Sequence, residues 1–127
     1  AAYLVASTVQ AVLAQRLVRV ICTECKTRVP AVATDLAELS RGAAVDHIWR
    51  GAGCPNCRGT GYRGRVGIYE LLTMNDALRH AVSERRDASE LRRIMVQDGT
   101  PTLRADGWRL VLEGVTTPEE VLRAAAN

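Results

Sequence analysis

All four cysteines of this chain stand in two C-x-x-C pairs, Cys22-Thr-Glu-Cys25 and Cys54-Pro-Asn-Cys57. A two-residue gap lets both sulfurs of a pair turn back toward one ion, so two pairs can supply the four thiolates of a tetrahedral Zn²⁺ site. Structural zinc is the first reading of Cys22, Cys25, Cys54 and Cys57. Four protein ligands leave no coordination position for water, which makes such a site a scaffold and not a catalyst. Three other readings use the same residues. Two disulfides would suit a secreted protein, but no stretch resembles a signal peptide. A redox C-x-x-C needs a strand before it and a helix after it, and one pair would suffice. Cysteines that are merely buried do not come in matched pairs.

No catalytic or nucleotide-binding residue emerges from the rest of the chain. Gly59, Gly61, Gly64 and Gly67 follow the second pair closely and mark tight turns and close backbone approach. They are not a phosphate loop, because G-x-x-x-x-G-K-[ST] occurs nowhere in the sequence. His47 and His80 are isolated. His80 falls on a predicted helix as a surface residue, and His47 can lie near the metal without being needed as a ligand.

The length of 127 residues suits one domain, or a small domain with a zinc-stapled appendage. With no Phe in the chain, the core must come from Leu, Val, Ile and Ala, with Trp49, Trp108 and three Tyr as anchors. Four thiolates with one Zn²⁺ would bring the formal charge of +3 to about +1. Residues 1–65 carry nine basic groups against four acids, and residues 66–127 carry eight against ten. The basic half invites a nucleic-acid reading. Its arginines are spaced singly, however, with no aromatic interleaving beyond Tyr62, which favours solvated arginines or contacts to another protein. The apolar stretch near the N-terminus is broken by Ser7, Thr8, Gln10 and Gln15 and is too short and polar to span a membrane.

The elements that must position the cysteines follow from periodicity and capping. Residues 3–18 read as an amphipathic helix through Val5, Val9, Val12 or Leu13, and Leu17. This apolar opening has no cap before Tyr3 and reads as a start inside a larger protein, whose cut helix would expose Val5, Val9 and Leu13. The long interval between the cysteine pairs must carry structure of its own. A short helix is expected from the Asp35/Glu38 capping box to about Arg41, then a turn over 46–49. Val66–Leu72 reads as a strand. Helices are expected from Asn75 or Asp76 to Arg85, from Asp87 with Glu90 to Gly99, and from Thr102 to Glu113 with Gly114 as its stop. A last one starts at Thr117-Pro118-Glu119-Glu120 and buries Val121, Leu122 and Ala125.

The combination of AQRLVR (14–19), CTEC, CPNC and TGYRGRVGIYELL (60–72) resembles the C-terminal part of the type II secretion and type IV pilus assembly ATPases. The resemblance covers essentially the whole chain. It implies an α+β fold, mainly helical, with a small tetracysteine zinc subdomain inserted between a helix and a strand of a truncated RecA-like domain, followed by a C-terminal helical segment. Residues 1–21 would be the last helical part of the motor domain, 22–57 the zinc subdomain, 58–74 the glycine turns and returning strand, and 75–127 the helical subdomain.

Carried over by position, Cys22, Cys25, Cys54 and Cys57 would be the zinc ligands. Gln15, Arg16 and Leu17 would lie on a motor helix, and Gly64, Arg65, Gly67, Ile68 and Glu70 on the strand returning to the motor sheet. ATP and Mg²⁺ would be bound only by the parent protein, and this chain, lacking the P-loop, would be inactive alone. The implied partners are neighbouring subunits of a hexamer and the inner-membrane platform proteins. The implied location is cytoplasmic, peripheral at the inner membrane, with no transmembrane segment and no nucleic acid. Arg63 and Arg65 are the first candidates for a partner contact. Two other readings stay open. CPNCRGTGYRG also fits the C-x-x-C-x-G-x-G repeat of DnaJ-type chaperone zinc domains, although CTECKTR lacks the glycines. A free-standing zinc ribbon could bind nucleic acid through the basic half. Chelation is expected to melt 22–57 while the C-terminal helices persist.

Overall fold

The computed structural model describes residues 8, 10–31 and 45–125. Among them are four strands, β1 (Ala11–Ile21), β2 (Lys26–Pro30), β3 (His47–Gly51) and β4 (Tyr62–Thr73), and a single 3-10 turn at Pro55–Cys57. Four helices follow, α1 (Asp76–Ser83), α2 (Ala88–Gln97), α3 (Leu103–Leu112) and α4 (Pro118–Ala124). The fold is α+β with two small sheets, β1 paired with β4 and β2 with β3. No helix among the described residues is long and apolar enough to cross a membrane.

The helix expected over 3–18 is corrected by the structure over 11–18, whereas Thr8 is helical. Residues 3–7 and 9 lie outside the described residues, and 11–18 belong to strand β1. Gln15, Arg16 and Leu17 therefore sit on a strand, and the cysteine-bearing segment joins two strands that pair with each other, not a helix and a strand. Apolar residues at 5, 9, 12 and 17 imitate a helical repeat, but Val12, Val18, Val20 and Ile21 are β-branched. Val18 is buried, Arg19 exposed and Val20 half-buried, which is strand alternation. What decides between the two is the partner β4, which no local window contains. Strand β4 matches the strand expected over 66–72 and extends it at its N-terminal end to Tyr62. The turn expected over 46–49 is also corrected, because His47–Gly51 is a strand. The expected helix at 35–41 lies outside the described residues.

By contact the chain divides into two compact units, Ala1–Gln15 with Tyr69–Thr102, and Arg16–Ile68 with Leu103–Asn127. In the first, Gln15 Nε2 donates to Tyr69 Oη at 3.1 Å, and the α1–α2 pair buries Leu78, Ala81 and Met95. Both helix starts obey the capping signals. Asn75 Oδ1 accepts from Leu78 N at 2.9 Å, and Asp87 Oδ1 from Glu90 N at 2.9 Å.

In the second unit, α3 and α4 carry two apolar clusters. Trp108, Val111 and Val121 pack with Ile48 of β3, beside Val29 of β2. Leu110 and Ala124 pack with Val18 of β1 and Ile68 of β4. The hairpin β2–β3 is antiparallel, with Lys26 opposite Gly51 and Pro30 opposite His47. Helix α4 starts at Thr117, as its cap predicts. It buries Val121 and Ala124, whereas Leu122, expected inside, is 40% exposed. Over a seven-residue helix a one-position error in the buried stripe is enough to turn a residue to solvent.

The α3–α4 packing yields a testable expectation. A Cβ on Gly107 would lie 2.6 Å from Val121 Cγ1 and 2.9 Å from Cγ2. Val121 is fully buried and β-branched, so it has no free rotamer to move into. Gly107→Ala gains about 1 kcal/mol of helix propensity but incurs overpacking of about 1–3 kcal/mol. Urea denaturation is expected to report a net loss of about 1 kcal/mol, and a stabilised variant would refute the crossing geometry.

Candidate metal centre

Cys22 directly follows the last residue of β1, a turn carries the chain to Cys25, and β2 begins at Lys26. Cys54 follows β3 by three residues and opens the 3-10 turn that ends on Cys57. The hairpin β2–β3 is thus closed at its base by both pairs. Backbone bonds tie the two knuckles: Ala52 N donates to Cys25 O at 3.1 Å and Cys22 N to Gly61 O at 2.9 Å. Of the glycines after the second pair, Gly61 serves this closure. Gly61 has φ 83°, and its Cβ would fall 2.6 Å from Gly51 O. The strand ends could not meet with side chains there.

The four cysteines are free thiols, and their sulfurs all lie within 4.8 Å of one another. Cys22–Cys54, Cys25–Cys57 and Cys54–Cys57 are each separated by 3.8 Å. A regular tetrahedron of ligands about 2.3 Å from a zinc ion has edges of about 3.8 Å. The cage is therefore positioned to bind a metal ion and is compatible in size and donor type with zinc.

Hydrogen bonds prepare the sulfurs for negative charge. Gly53 N donates to Cys25 Sγ at 3.3 Å, and Cys54 N and Gly61 N donate to Cys57 Sγ at 3.4 and 3.2 Å. Burial pushes the Cys57 thiol up, but the N–H groups of Gly61 and Cys54 outweigh it and leave it at about 6. Burial also opposes ionisation of Cys22, and is overcome by the backbone at Glu24, the Asn56 side chain and the backbone at Cys25. Cys25 goes the other way. Burial pushes it up to about 11, the neighbouring thiols add to the rise, and the Gly53 N–H offsets only part.

The two histidines singled out in the sequence lie apart from this cage. His47 sits opposite Pro30, at the far end of the hairpin from the cysteines. Its Nδ1 is 2.7 Å from Asp46 Oδ1 and 3.2 Å from Arg28 Nη2. His80 is on α1, with Nε2 2.9 Å from Glu84 Oε1 one turn on. Arg63 and Arg65 are both exposed on β4. Two features escaped sequence reasoning. One is Asn56, inside the second pair, whose Nδ2 points at Cys22 Sγ from 3.7 Å. The other is the buried carboxylate of Glu120, which accepts from Arg19 N at 2.7 Å and from Arg19 Nη2 at 3.0 Å. The only signal for Asn56 was its place between ligands. Glu120 was read as a capping residue alone.

The class defined so far is a small α+β domain with a four-cysteine metal cage at the foot of a hairpin. The profile of the Type II/IV secretion system protein family matches residues 1–123, and the chain belongs to that family. It is 43% identical over 124 residues to type II secretion system protein E of Aeromonas hydrophila, covering 95% of this chain and 24% of that protein. It is 45% identical over 122 residues to type II secretion system protein E of Pseudomonas aeruginosa, with 95% and 24% covered. Over 114 residues it is 43% identical to type IV pilus assembly ATPase PilB of Thermus thermophilus, with 87% and 13% covered. The chain thus spans a quarter or less of the length of these relatives.

Proposed function

We propose that this chain is the zinc-bearing C-terminal part of a hexameric ATPase that powers type II secretion or type IV pilus assembly. It serves as a scaffold and does not hydrolyse ATP by itself. The observation that carries the reading is the four-sulfur cage, three of whose edges measure 3.8 Å and whose sulfurs all lie within 4.8 Å of one another, in a chain of this family. Cys22, Cys25, Cys54 and Cys57 are the zinc ligands. The ion, when bound, cross-links the two knuckles and substitutes for the core that two five-residue strands cannot build. ATP and Mg²⁺ belong to parts of the parent outside this chain. The motor works in the cytoplasm, peripheral to the inner membrane, against neighbouring subunits and platform proteins.

The basic half of the sequence does not speak for nucleic acid. Arg19 is tied to Glu120, Arg50 to Glu119 and Arg28 to Asp46, and Lys26 lies 5.0 Å from the Trp49 ring centre. These four cations are engaged one by one with partners inside the chain. The test is to read the coding region upstream of Ala1. A P-loop with acidic boxes is expected there. A stop codon, or further C-x-x-C-x-G-x-G copies, would overturn the motor in favour of a self-sufficient zinc module.

A further inference from the structure

Among the described hydrogen bonds to the four sulfurs, one comes from a side chain outside the cage. Asn56 Nδ2 lies 3.7 Å from Cys22 Sγ, and the other end of the same amide, Oδ1, accepts from Arg63 Nη1. A guanidinium only donates, so Arg63 selects the amide orientation in which oxygen faces the arginine and N–H faces the sulfur. Arg63 stands two residues after Gly61, whose N–H donates to Cys57 Sγ at 3.2 Å. One short stretch at the start of β4 therefore serves two sulfurs, one through the backbone and one through an amide relay.

We propose that Asn56 and Arg63 are positioning residues of the metal centre. Arg63 orients and polarises the Asn56 amide, and that amide holds negative charge on the Cys22 sulfur, setting how firmly the ion is kept. The inference rests on the zinc reading above. Its physical basis is charge. Four thiolates around one Zn²⁺ carry a net −2, and each N–H aimed at a sulfur disperses part of it. Cys25 and Cys57 draw that help from the backbone. At Cys22 part of it comes through a side chain, where one substitution removes it without rebuilding the fold. Both Asn56 and Arg63 are exposed, so neither is a packing residue.

A plain structural staple between the turn and β4 would show the same contacts, and Asn56→Asp separates the two roles. The carboxylate would pair with Arg63 better than the amide does, yet would place a negative oxygen against the thiolate. A staple predicts that Asn56→Asp keeps zinc better than Asn56→Ala, and a sulfur-directed role predicts the reverse. The experiment loads the chain with zinc and follows its release to a chromogenic chelator, with cobalt substitution to read the thiolate-to-metal charge-transfer band.

The wild type is expected to hold one zinc per chain, and Asn56→Ala to release it about ten-fold faster. Asn56→Asp should be faster still and Arg63→Ala intermediate. The Asn56→Ala/Arg63→Ala double variant should match Asn56→Ala alone, since Arg63 acts through the amide. Release from Asn56→Asp no faster than from Asn56→Ala, or additive effects in the double variant, would overturn the inference. So would a wild-type rate in Arg63→Ala, which keeps the test decisive if Asn56→Ala cannot be loaded. A wild type that binds no zinc overturns the zinc reading and this inference with it. A wild type that binds zinc beside an unchanged Asn56→Ala overturns this inference alone.

Discussion

Chelating the metal is expected to unfold the second unit, including α3 and α4, while α1 and α2 stay folded. The sequence by itself suggested a narrower loss confined to 22–57. The structure widens it, because Ile48 of the hairpin shares a cluster with Trp108, Val111 and Val121. Without the ion the hairpin is two five-residue strands, marginal alone in water, and every sulfur lies within 4.8 Å of the other three. Apparent binding energies of structural zinc run to about 10–16 kcal/mol in small zinc peptides. That is as large as the roughly 5–15 kcal/mol that keeps a whole domain folded.

The α1–α2 pair belongs to the other unit and has its own caps and its own buried residues. Amide exchange with and without chelator reads the outcome. Protection should vanish at 26–30, 47–51 and through both C-terminal helices, and remain across 76–97. Cys57→Ser should reproduce this pattern without chelator. Unchanged protection in the hairpin would mean that the cage is ornamental. Loss across 76–97 as well would mean that the units do not fold separately.

The centre was legible because its chemistry is written in residue types at fixed spacing. Four cysteines in two matched pairs need no knowledge of the fold to be placed in one cluster, and their sulfurs do lie within 4.8 Å of one another. The caps were legible for the same local reason: Asn75, Asp87 and Thr117 act within three residues of themselves. What failed was non-local. Residues 11–18 have a spacing that fits a helix and β-branched residues that fit a strand, and only pairing with β4 resolves the conflict. The second strand of the hairpin was taken for a turn because its partner, β2, lies seventeen positions back. Asn56 carries no signal beyond its place between ligands and Glu120 only a local capping signal, while their partners lie 34 and 101 positions away.

Glu120 carries the other large expectation. Its carboxylate is 2% exposed at the residue level and meets two arginines. Arg123 Nη2 donates to Oε1 at 2.9 Å, Arg19 Nη2 to Oε2 at 3.0 Å, and the Arg19 backbone N–H to Oε1 at 2.7 Å. The Arg19 guanidinium in turn lies 4.2 Å from the Tyr62 ring centre, and Tyr62 Oη is 2.7 Å from the capping hydroxyl of Thr117. One carboxylate thus locks β1 to the start of α4. Burial pushes its acidity toward the neutral form, but Arg123, Arg19 and the Arg19 amide more than reverse this and bring it from 4.5 to about 2.

A carboxylate that ionises more readily when folded stabilises the fold above its unfolded value, and that contribution fades as pH falls toward its folded value. The contribution of Glu120 to stability should therefore be level above about pH 5 and fall between about 4.5 and 2. The shift corresponds to a loss on the order of 3 kcal/mol. Glu120→Gln keeps the shape and removes the charge. Both arginine side chains are about half exposed and can return to water, so the cost should sit near the lower end of the range for breaking a buried pair, about 3 kcal/mol. In urea melts of the metal-loaded protein, the variant should be weaker at pH 6 and lose less than the wild type on acidification toward pH 3. Protons also compete with any metal for thiolate sulfur in acid, so the decisive reading is the difference between the two proteins. Parallel pH profiles would show that the lock holds by packing and not by charge.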